Sequence, residues 1–161
     1  MIKRKADIFF FSRTGNTKKV AEIIFRELSG ELETNLIEIQ PKRRYPYLIW
    51  LGLSFLPNFG VNVKCEDVNS DVVFICFPKW TINCPPITTF LRRSNLKGKT
   101  VFVVITCGGF DEKRYAASYK KKIEKLGARV REVNLIKRSK IKKRDLSELW
   151  KFISRVRELD M

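Results

Sequence analysis

The sequence predicts a doubly wound α/β fold, in which a parallel sheet carries helices on both faces. Short, continuously apolar runs alternate with amphipathic helical patterns along the 161 residues. Continuous apolar runs are typical of parallel strands covered on both faces. Strand and helix alternate five times, which predicts right-handed crossovers within one sheet. No linker or internal repeat divides the chain, so we expect a single domain over residues 1–161.

Five segments have the composition of strands. Those at 6–11, 71–77 and 100–106 are continuously rich in Val, Ile and Phe, as interior parallel strands are. Those at 33–39 and 128–136 alternate apolar and polar residues, which predicts strands with one wetter face.

Four segments have helical periodicity, with their apolar residues on one side, at 17–29, 85–93, 112–126 and 145–159. The first is followed by Gly30, a good residue to end a helix. The second opens with two prolines, which suit the first turn of a helix. Each helix follows a strand, as the predicted fold requires.

Composition excludes several kinds of site. The chain has no histidine, which excludes His-ligated metals and His-based catalysis. Its four cysteines form no C-x-x-C pair, so the common zinc spacings are absent too. The first residues lack the pattern of a secretion signal, and we expect a reducing cytoplasm.

The net charge of +16 is unusually high, with basic runs at 120–125 and 137–144. Such runs usually form a solvated face. They also attract acidic proteins, anionic lipid or nucleic acid. Aromatic residues do not interleave with these runs as a base-stacking surface requires, so nucleic acid is the least supported partner.

The segment at about 41–64 is an apolar insertion or crossover between the second and third predicted strands. Its apolar centre, 48–56, is far shorter than the roughly 20 residues needed to cross a bilayer. One interpretation is a helix that covers the sheet. The other is a surface for anionic lipid, a second subunit or a lipophilic quinone. The second interpretation depends on basic residues beside interfacial aromatics: Lys42, Arg43, Arg44, Tyr45, Tyr47 and Trp50.

The polar stretch SRTGNT, residues 12–17, joins the first strand to the first helix. Unpaired backbone N–H groups at a helix N-terminus, together with hydroxyl and amide donors, favour an anion such as phosphate. The stretch lacks the Lys-Ser/Thr pair of nucleoside-triphosphate loops and the G-x-G-x-x-G of dinucleotide folds. The alternative is an ordinary capped helix.

Three segments together resemble the flavodoxin family: FFSRTGNT at 10–17, FPKWTINCPP at 77–86 and TCGGF at 106–110. The first resembles that family's phosphate loop, and the other two resemble its flavin loops. The resemblance implies a flavodoxin-like three-layer sandwich with a five-stranded parallel sheet in order 2-1-3-4-5. It also implies FMN as cofactor, beyond the carboxyl ends of strands one, three and four.

The resemblance implies three groups of FMN-binding residues. The phosphate would be held by Ser12, Arg13, Thr14, Gly15, Asn16 and Thr17. The isoalloxazine ring would lie between two further groups: Pro78, Lys79, Trp80 and Thr81, and Thr106, Cys107, Gly108 and Gly109. Trp80 is the best stacking candidate, with core packing as its alternative. Cys107 is expected to be a small residue in a tight loop, and no base is evident to make it a nucleophile.

The function implied by the resemblance is that of an FMN-binding electron carrier between redox partners. Acidic redox proteins, either ferredoxin-like proteins or oxidoreductases, would suit the basic surface. An FMN-dependent oxidoreductase acting on a lipophilic substrate is the alternative, in the manner of a quinone or NAD(P)H reductase or a protoporphyrinogen oxidase. A binding module that has lost the cofactor is a third. The positive charges of Arg13 and Lys79 predict a less negative second reduction step than in an acidic flavodoxin.

Overall fold

The computed structural model describes residues 2–159. The strands are β1 (Lys5–Phe10), β2 (Glu33–Glu38), β3 (Gln40–Pro41), β4 (Val63–Lys64), β5 (Val72–Pro78), β6 (Thr100–Cys107) and β7 (Arg129–Lys137). The helices are α1 (Asn16–Leu28), α2 (Tyr47–Ser54), α3 (Pro85–Arg93), α4 (Glu112–Lys125), α5 (Arg138–Lys142) and α6 (Ser147–Glu158).

The main sheet has five parallel strands in the order β2-β1-β5-β6-β7. Counted along the main sheet alone this is 2-1-3-4-5, which confirms the predicted fold class. The interior strand β5 is buried along its whole length and β6 along all but its first residue. Their continuous apolar character follows from having helices on both faces.

The two faces of the sheet have separate apolar cores. Because side chains alternate along a strand, Ile8 and Phe10 of β1 lie in one core and Phe9 in the other, with Phe11 just beyond the strand. The first core is completed by α1 and α6 with Ile141 of α5, and the second by α3 and α4. The carboxyl ends of β1, β5 and β6 therefore open at one edge between the two layers.

Three elements had no clear signal in the sequence. Strands β3 and β4 form a two-residue antiparallel ladder, too short for any periodicity to appear. Helix α5 lies within the basic run that follows β7, and only its Ile141 is buried. A five-residue helix with one buried side chain produces no amphipathic stripe.

The insertion forms helix α2, in agreement with the interpretation as a helix. One expectation for this segment is wrong. Trp50 was grouped with the interfacial aromatics, but it is only 4% exposed and packs against Tyr45, Phe11 and Trp80. The indole turns inward because α2 lies over the end of β1. Within residues 2–159, no helix has both the length and the apolar character that crossing a bilayer requires.

Candidate functional site

A tight loop, residues 12–17, leads from β1 into α1. Gly15 has φ 94°, a left-handed conformation that is strained for any residue with a Cβ. The Gly15 N–H donates to Ser12 Oγ at 3.1 Å, and Asn16 Nδ2 donates to Thr14 Oγ1 at 3.3 Å. The loop therefore turns back on itself and presents hydroxyl and amide groups in front of the helix.

The N-terminus of α1 is open to an anion. In the described part of the chain, no side chain caps this helix and no acidic residue lies in its first turn. The first N–H groups of a helix lack intrahelical partners and carry partial positive charge. A phosphate at this position accepts hydrogen bonds from these N–H groups and balances their partial positive charge.

Thr17 and Thr106 connect this loop to the neighbouring strand. Both are buried, and their hydroxyl oxygens lie 2.8 Å apart. Each hydroxyl can donate and accept, so the pair keeps one donor for a third group. The contact fixes the first turn of α1 against the carboxyl end of β6.

The loop after β5 is joined to the same place. The Lys79 N–H donates to the Thr106 carbonyl at 2.7 Å. A cavity of about 100 Å³ lies where the three chain segments meet. Its lining residues are Arg13, Thr14, Asn16, Thr17, Tyr47, Leu51, Pro78, Lys79, Trp80, Thr106 and Arg138.

Trp80 lies between the cavity and the core. Its ring is half-buried and meets Phe11 edge-on, with 5.4 Å between the ring centroids. It also lies 5.4 Å from Trp50 at an interplanar angle of 42°. One side of the indole thus packs against aromatic residues while the residue still lines the cavity.

Three cationic side chains line this cavity: Arg13, Lys79 and Arg138. The Arg13 guanidinium lies over the ring of Tyr47, 4.8 Å from its centroid. Lys79 Nζ lies 5.8 Å and 5.5 Å from the ring centroids of Phe110 and Tyr115. Aromatic faces hold cations by attraction to the ring quadrupole, so these two charges are held at the cavity.

Arg138 belongs to α5, and sequence reasoning missed it. Its guanidinium packs on Gly108, where an added Cβ would lie 2.9 Å from Arg138 Nη2. Gly108 therefore leaves room for this side chain to reach the cavity. The only local signal was the basic run at 137–144, which says nothing about where one arginine points. Tyr47 and Leu51 of α2 also line the cavity. The sequence missed them because a local pattern does not show which way a side chain points.

Eight of the predicted residues line the cavity, and six do not. Ser12 and Gly15 form the turn of the loop, and Ser12 lines a second cavity of about 550 Å³ that shares Arg13 with the first. Gly108 and Gly109 are exposed beyond the end of β6. Thr81 is turned towards α2, where its Oγ1 lies 2.8 Å from Ser54 Oγ.

Cys107, the last of the six, has no access to solvent. Its thiol donates to the Ile136 carbonyl with a separation of 3.6 Å. Burial is the main effect that raises the pKa of the thiol. A buried, protonated thiol does not act as a nucleophile, which agrees with the expectation of a packed residue.

Sequence comparison relates the chain to known proteins. The family model described as Flavodoxin matches residues 57–151, a range that includes both the 78–81 and the 106–109 loops. An uncharacterised protein of Archaeoglobus fulgidus is 40% identical over an alignment of 153 residues, which covers 92% of this chain and 99% of that protein.

Solved structures share the architecture. The flavoprotein of Lactobacillus acidophilus, crystallised in complex with FMN, matches with a TM-score of 0.68 and 20% identity, over 88% of this chain and 98% of its own. Oxidised flavodoxin 2 of Bacillus cereus matches with a TM-score of 0.65 and 18% identity, over 96% of this chain and 98% of its own. At these identities the likeness is one of fold.

Proposed function

The chain belongs to the flavodoxin family, and from that premise we propose that it binds FMN and carries electrons between redox partners. The observation that carries the proposal is the convergence of the uncapped 12–17 loop and three cationic side chains on one cavity at the sheet edge. The corner between β1, β5 and β6 is also where ligands of doubly wound sheets bind.

The donor set fits a phosphate. Thr14 and Asn16 supply an exposed hydroxyl and an amide, Gly15 supplies the turn, and Thr17 supplies the hydroxyl braced by Thr106. These are neutral donors, and Arg13 adds a positive charge beside them. Charge-assisted hydrogen bonds to such donors are the strong ones.

The volume of the cavity is small for a flavin ring. The cavity of about 100 Å³ is below the roughly 300 Å³ at which small-molecule pockets begin. An isoalloxazine ring therefore requires the side chains of Tyr47 and Trp80 to turn aside. Both line the cavity, Tyr47 under the Arg13 guanidinium and Trp80 against Phe11 and Trp50, so these contacts would have to change.

Bound FMN supplies one- and two-electron transfer at its ring system. The contribution of this chain is charge. Arg13, Lys79 and Arg138 bring positive charge to the cavity. Positive charge favours added negative charge on the cofactor, so we expect a less negative second reduction step than in an acidic flavodoxin.

We favour an electron carrier over an enzyme because of the strong positive charge of the chain. Electron transfer requires only the close approach of a partner protein, which surface charge promotes. The net charge of +16 supports acidic redox proteins as those partners, because opposite charge speeds encounter.

The test is titration of purified protein with FMN, followed by flavin fluorescence and the visible spectrum. We expect saturable binding that is weakened at least tenfold by Thr14→Ala combined with Thr17→Ala, since two phosphate donors are removed. Unchanged affinity would place the phosphate elsewhere, and no uptake at all would favour a binding module without cofactor. Rapid flavin reduction by NADPH in stopped flow, with turnover of a quinone, would identify an oxidoreductase instead.

A further inference from the structure

Exposed apolar residues are concentrated on α2 and its surroundings. Eleven large hydrophobic side chains of the described residues are exposed, and seven of them lie in or beside this helix. The seven, called the apolar face below, are Tyr47, Leu48, Ile49, Phe55, Leu56, Phe59 and Ile82. Leu48 is 77% exposed and Phe55 is 55% exposed. Contiguous apolar surface of this kind usually marks a site of interaction.

Helix α2 carries no charged side chain at all. Its sequence is YLIWLGLS, and its buried residues are Trp50 and Ser54. A helix that only covers a sheet has a polar outer face. Here the outer face is as apolar as the inner one, so covering the sheet does not account for it.

The apolar face is held rigidly. Buried Asn83 donates through Nδ2 to the carbonyls of Leu56 at 3.1 Å and Phe59 at 2.7 Å. The Ser54 carbonyl accepts the N–H groups of Ile82 at 3.2 Å and Asn83 at 2.9 Å. These bonds tie α2 and the following loop to the start of α3, so the apolar side chains are presented by fixed backbone.

The charges nearest the apolar face are mostly positive, although Glu38 lines a cavity together with Arg43 and Arg44. Residues 39–65 contain no acidic residue, and neither do residues 72–110. The basic residues Lys42, Arg43 and Arg44 are exposed and come just before α2. A cavity of about 720 Å³ has both basic and apolar lining residues: Lys42 and Arg43, and Ile49, Leu53 and Phe59.

We propose that the apolar face, with Lys42, Arg43 and Arg44, docks this protein on the surface of an anionic lipid bilayer. An uncharged helix that presents Leu, Ile and Phe beside arginines has the composition of an interfacial helix. The apolar side chains enter the boundary between headgroups and acyl chains, and the arginines meet the anionic headgroups. Helix α2 has eight residues, so it lies in the interface and does not cross the bilayer.

Charge complementarity selects lipid over a second copy of the chain. A symmetric dimer through this face would bring Arg43 and Arg44 of each protomer towards the same patch of the other. Two chains of net charge +16 also repel each other. An anionic bilayer offers an apolar layer and a negative layer at once, which no isologous contact of this surface does.

The test is co-sedimentation of the full chain with vesicles of phosphatidylcholine, alone or mixed with phosphatidylglycerol. We expect binding to the mixed vesicles only. Leu48→Ser combined with Phe55→Ser should weaken it about tenfold or more, because buried apolar area is lost. Arg43→Gln combined with Arg44→Gln should weaken it by a similar factor, since each basic residue near an anionic surface contributes about fivefold.

Matched controls test whether vesicle binding depends on this face or on the charge and hydrophobicity of the whole surface. Leu126→Ser combined with Trp150→Ser removes two exposed apolar residues elsewhere, and Lys121→Gln combined with Lys125→Gln removes two charges from the end of α4. Both controls should bind as the original chain does. Thermal melts of all variants check folding. Slower hydrogen exchange of the α2 amides on addition of mixed vesicles provides a second measurement.

Several results would overturn the proposal. These are no sedimentation with mixed vesicles, equal loss in the control variants, or unchanged binding after Leu48→Ser with Phe55→Ser. Self-association without lipid that this apolar variant abolishes would identify a second copy as the occupant. Retention on immobilised polyglutamate that needs Leu48 and Phe55 to the same degree would identify an acidic protein. None of these measurements requires FMN, so the outcome is separate from that of the proposed function.

Discussion

The side chains of Thr17 and Thr106, 89 positions apart in sequence, meet hydroxyl to hydroxyl at 2.8 Å in the buried layer beneath the candidate site. Thr17 lies in the first turn of α1, and Thr106 lies next to the last residue of β6. The contact joins the 12–17 loop to the strand next to β5, so the two ends of the proposed FMN site are mechanically connected.

Replacing Thr106 by valine tests this connection. The change keeps the shape but leaves the buried Thr17 hydroxyl without its partner, which costs about 1–2 kcal/mol of unfolding free energy. FMN affinity should fall several-fold, because Thr17 is no longer held in place. Urea unfolding and FMN titration measure the two effects. The matched control is Thr100→Val at the other end of β6. Equal losses of stability and FMN affinity in both variants would show that the Thr17–Thr106 contact has no special role.

Gly15→Ala tests the turn of the 12–17 loop, which we propose to hold the phosphate. An alanine Cβ at this position would meet nothing within 4 Å, so the only penalty comes from φ 94°. A left-handed conformation costs an L-residue roughly 1–2 kcal/mol, and we expect that loss of stability together with weaker FMN binding. Gly30→Ala is the control, since Gly30 also has open space and its φ is not positive. It should leave stability unchanged or raise it by up to about 1 kcal/mol.

Arg138→Gln tests the charge that α5 brings to the cavity. At an effective dielectric of roughly 20–80, a unit charge contributes about 0.5–2 kcal/mol at a separation of about 8 Å. That corresponds to about 20–90 mV, and the second reduction step of bound FMN should become more negative by this amount. Spectroelectrochemical titration measures it. Lys142→Gln, an exposed position on the same helix, should shift the potential far less, and shifts of the same size would point to a general field effect.

The hydrogen bonds of Asp7 predict how the stability of the fold changes at acid pH. Burial alone would raise the pKa of this carboxyl, but hydrogen bonds from Asn35 and from the Asn69 and Ser70 N–H groups lower it below its ordinary value. A lowered pKa in the folded state stabilises the fold fully above the unfolded value of about 3.9, and the stabilisation is lost as pH falls through the folded value.

The measurement for Asp7 is unfolding free energy between neutral pH and the acid limit of the fold. Asp7→Asn should lose roughly 2–3 kcal/mol at neutral pH, since hydrogen bonds to a charged acceptor are removed. The loss should shrink as the pH drops below about 4. Asp71→Asn is the control because its carboxylate is fully exposed. A pH-independent difference for Asp7→Asn would contradict this account.

Sequence patterns predicted most of the fold because its signals are local. Continuous apolar runs identified the interior strands, and the SRTGNT loop was recognised from residue types that lie side by side. Bounds shifted by one or two residues, as for β1, which runs from Lys5 to Phe10 where 6–11 was predicted. Hydrogen bonding to neighbouring strands decides such ends, and no single run of residues contains that information.

The candidate site was predicted less completely, for a physical reason that particular residues show. Arg138 reaches the cavity only because α5 turns back over Gly108, and Asn83 Nδ2 holds the loop after α2 through carbonyls more than twenty positions away. Trp50 looked like a surface aromatic because its neighbours are basic and apolar, yet it is buried where α2 crosses the end of β1.

The amino-acid order alone therefore determined the layer architecture and, by resemblance, the strand order, and it predicted the candidate anion site at the 12–17 loop. Each of these follows from periodicity or from adjacent residue types. Only the tertiary structure decided which charges line the cavity, which way the tryptophans face, and that the outer side of α2 is left apolar. Those features depend on contacts between distant segments, whose directions are set by how the helices pack on the sheet.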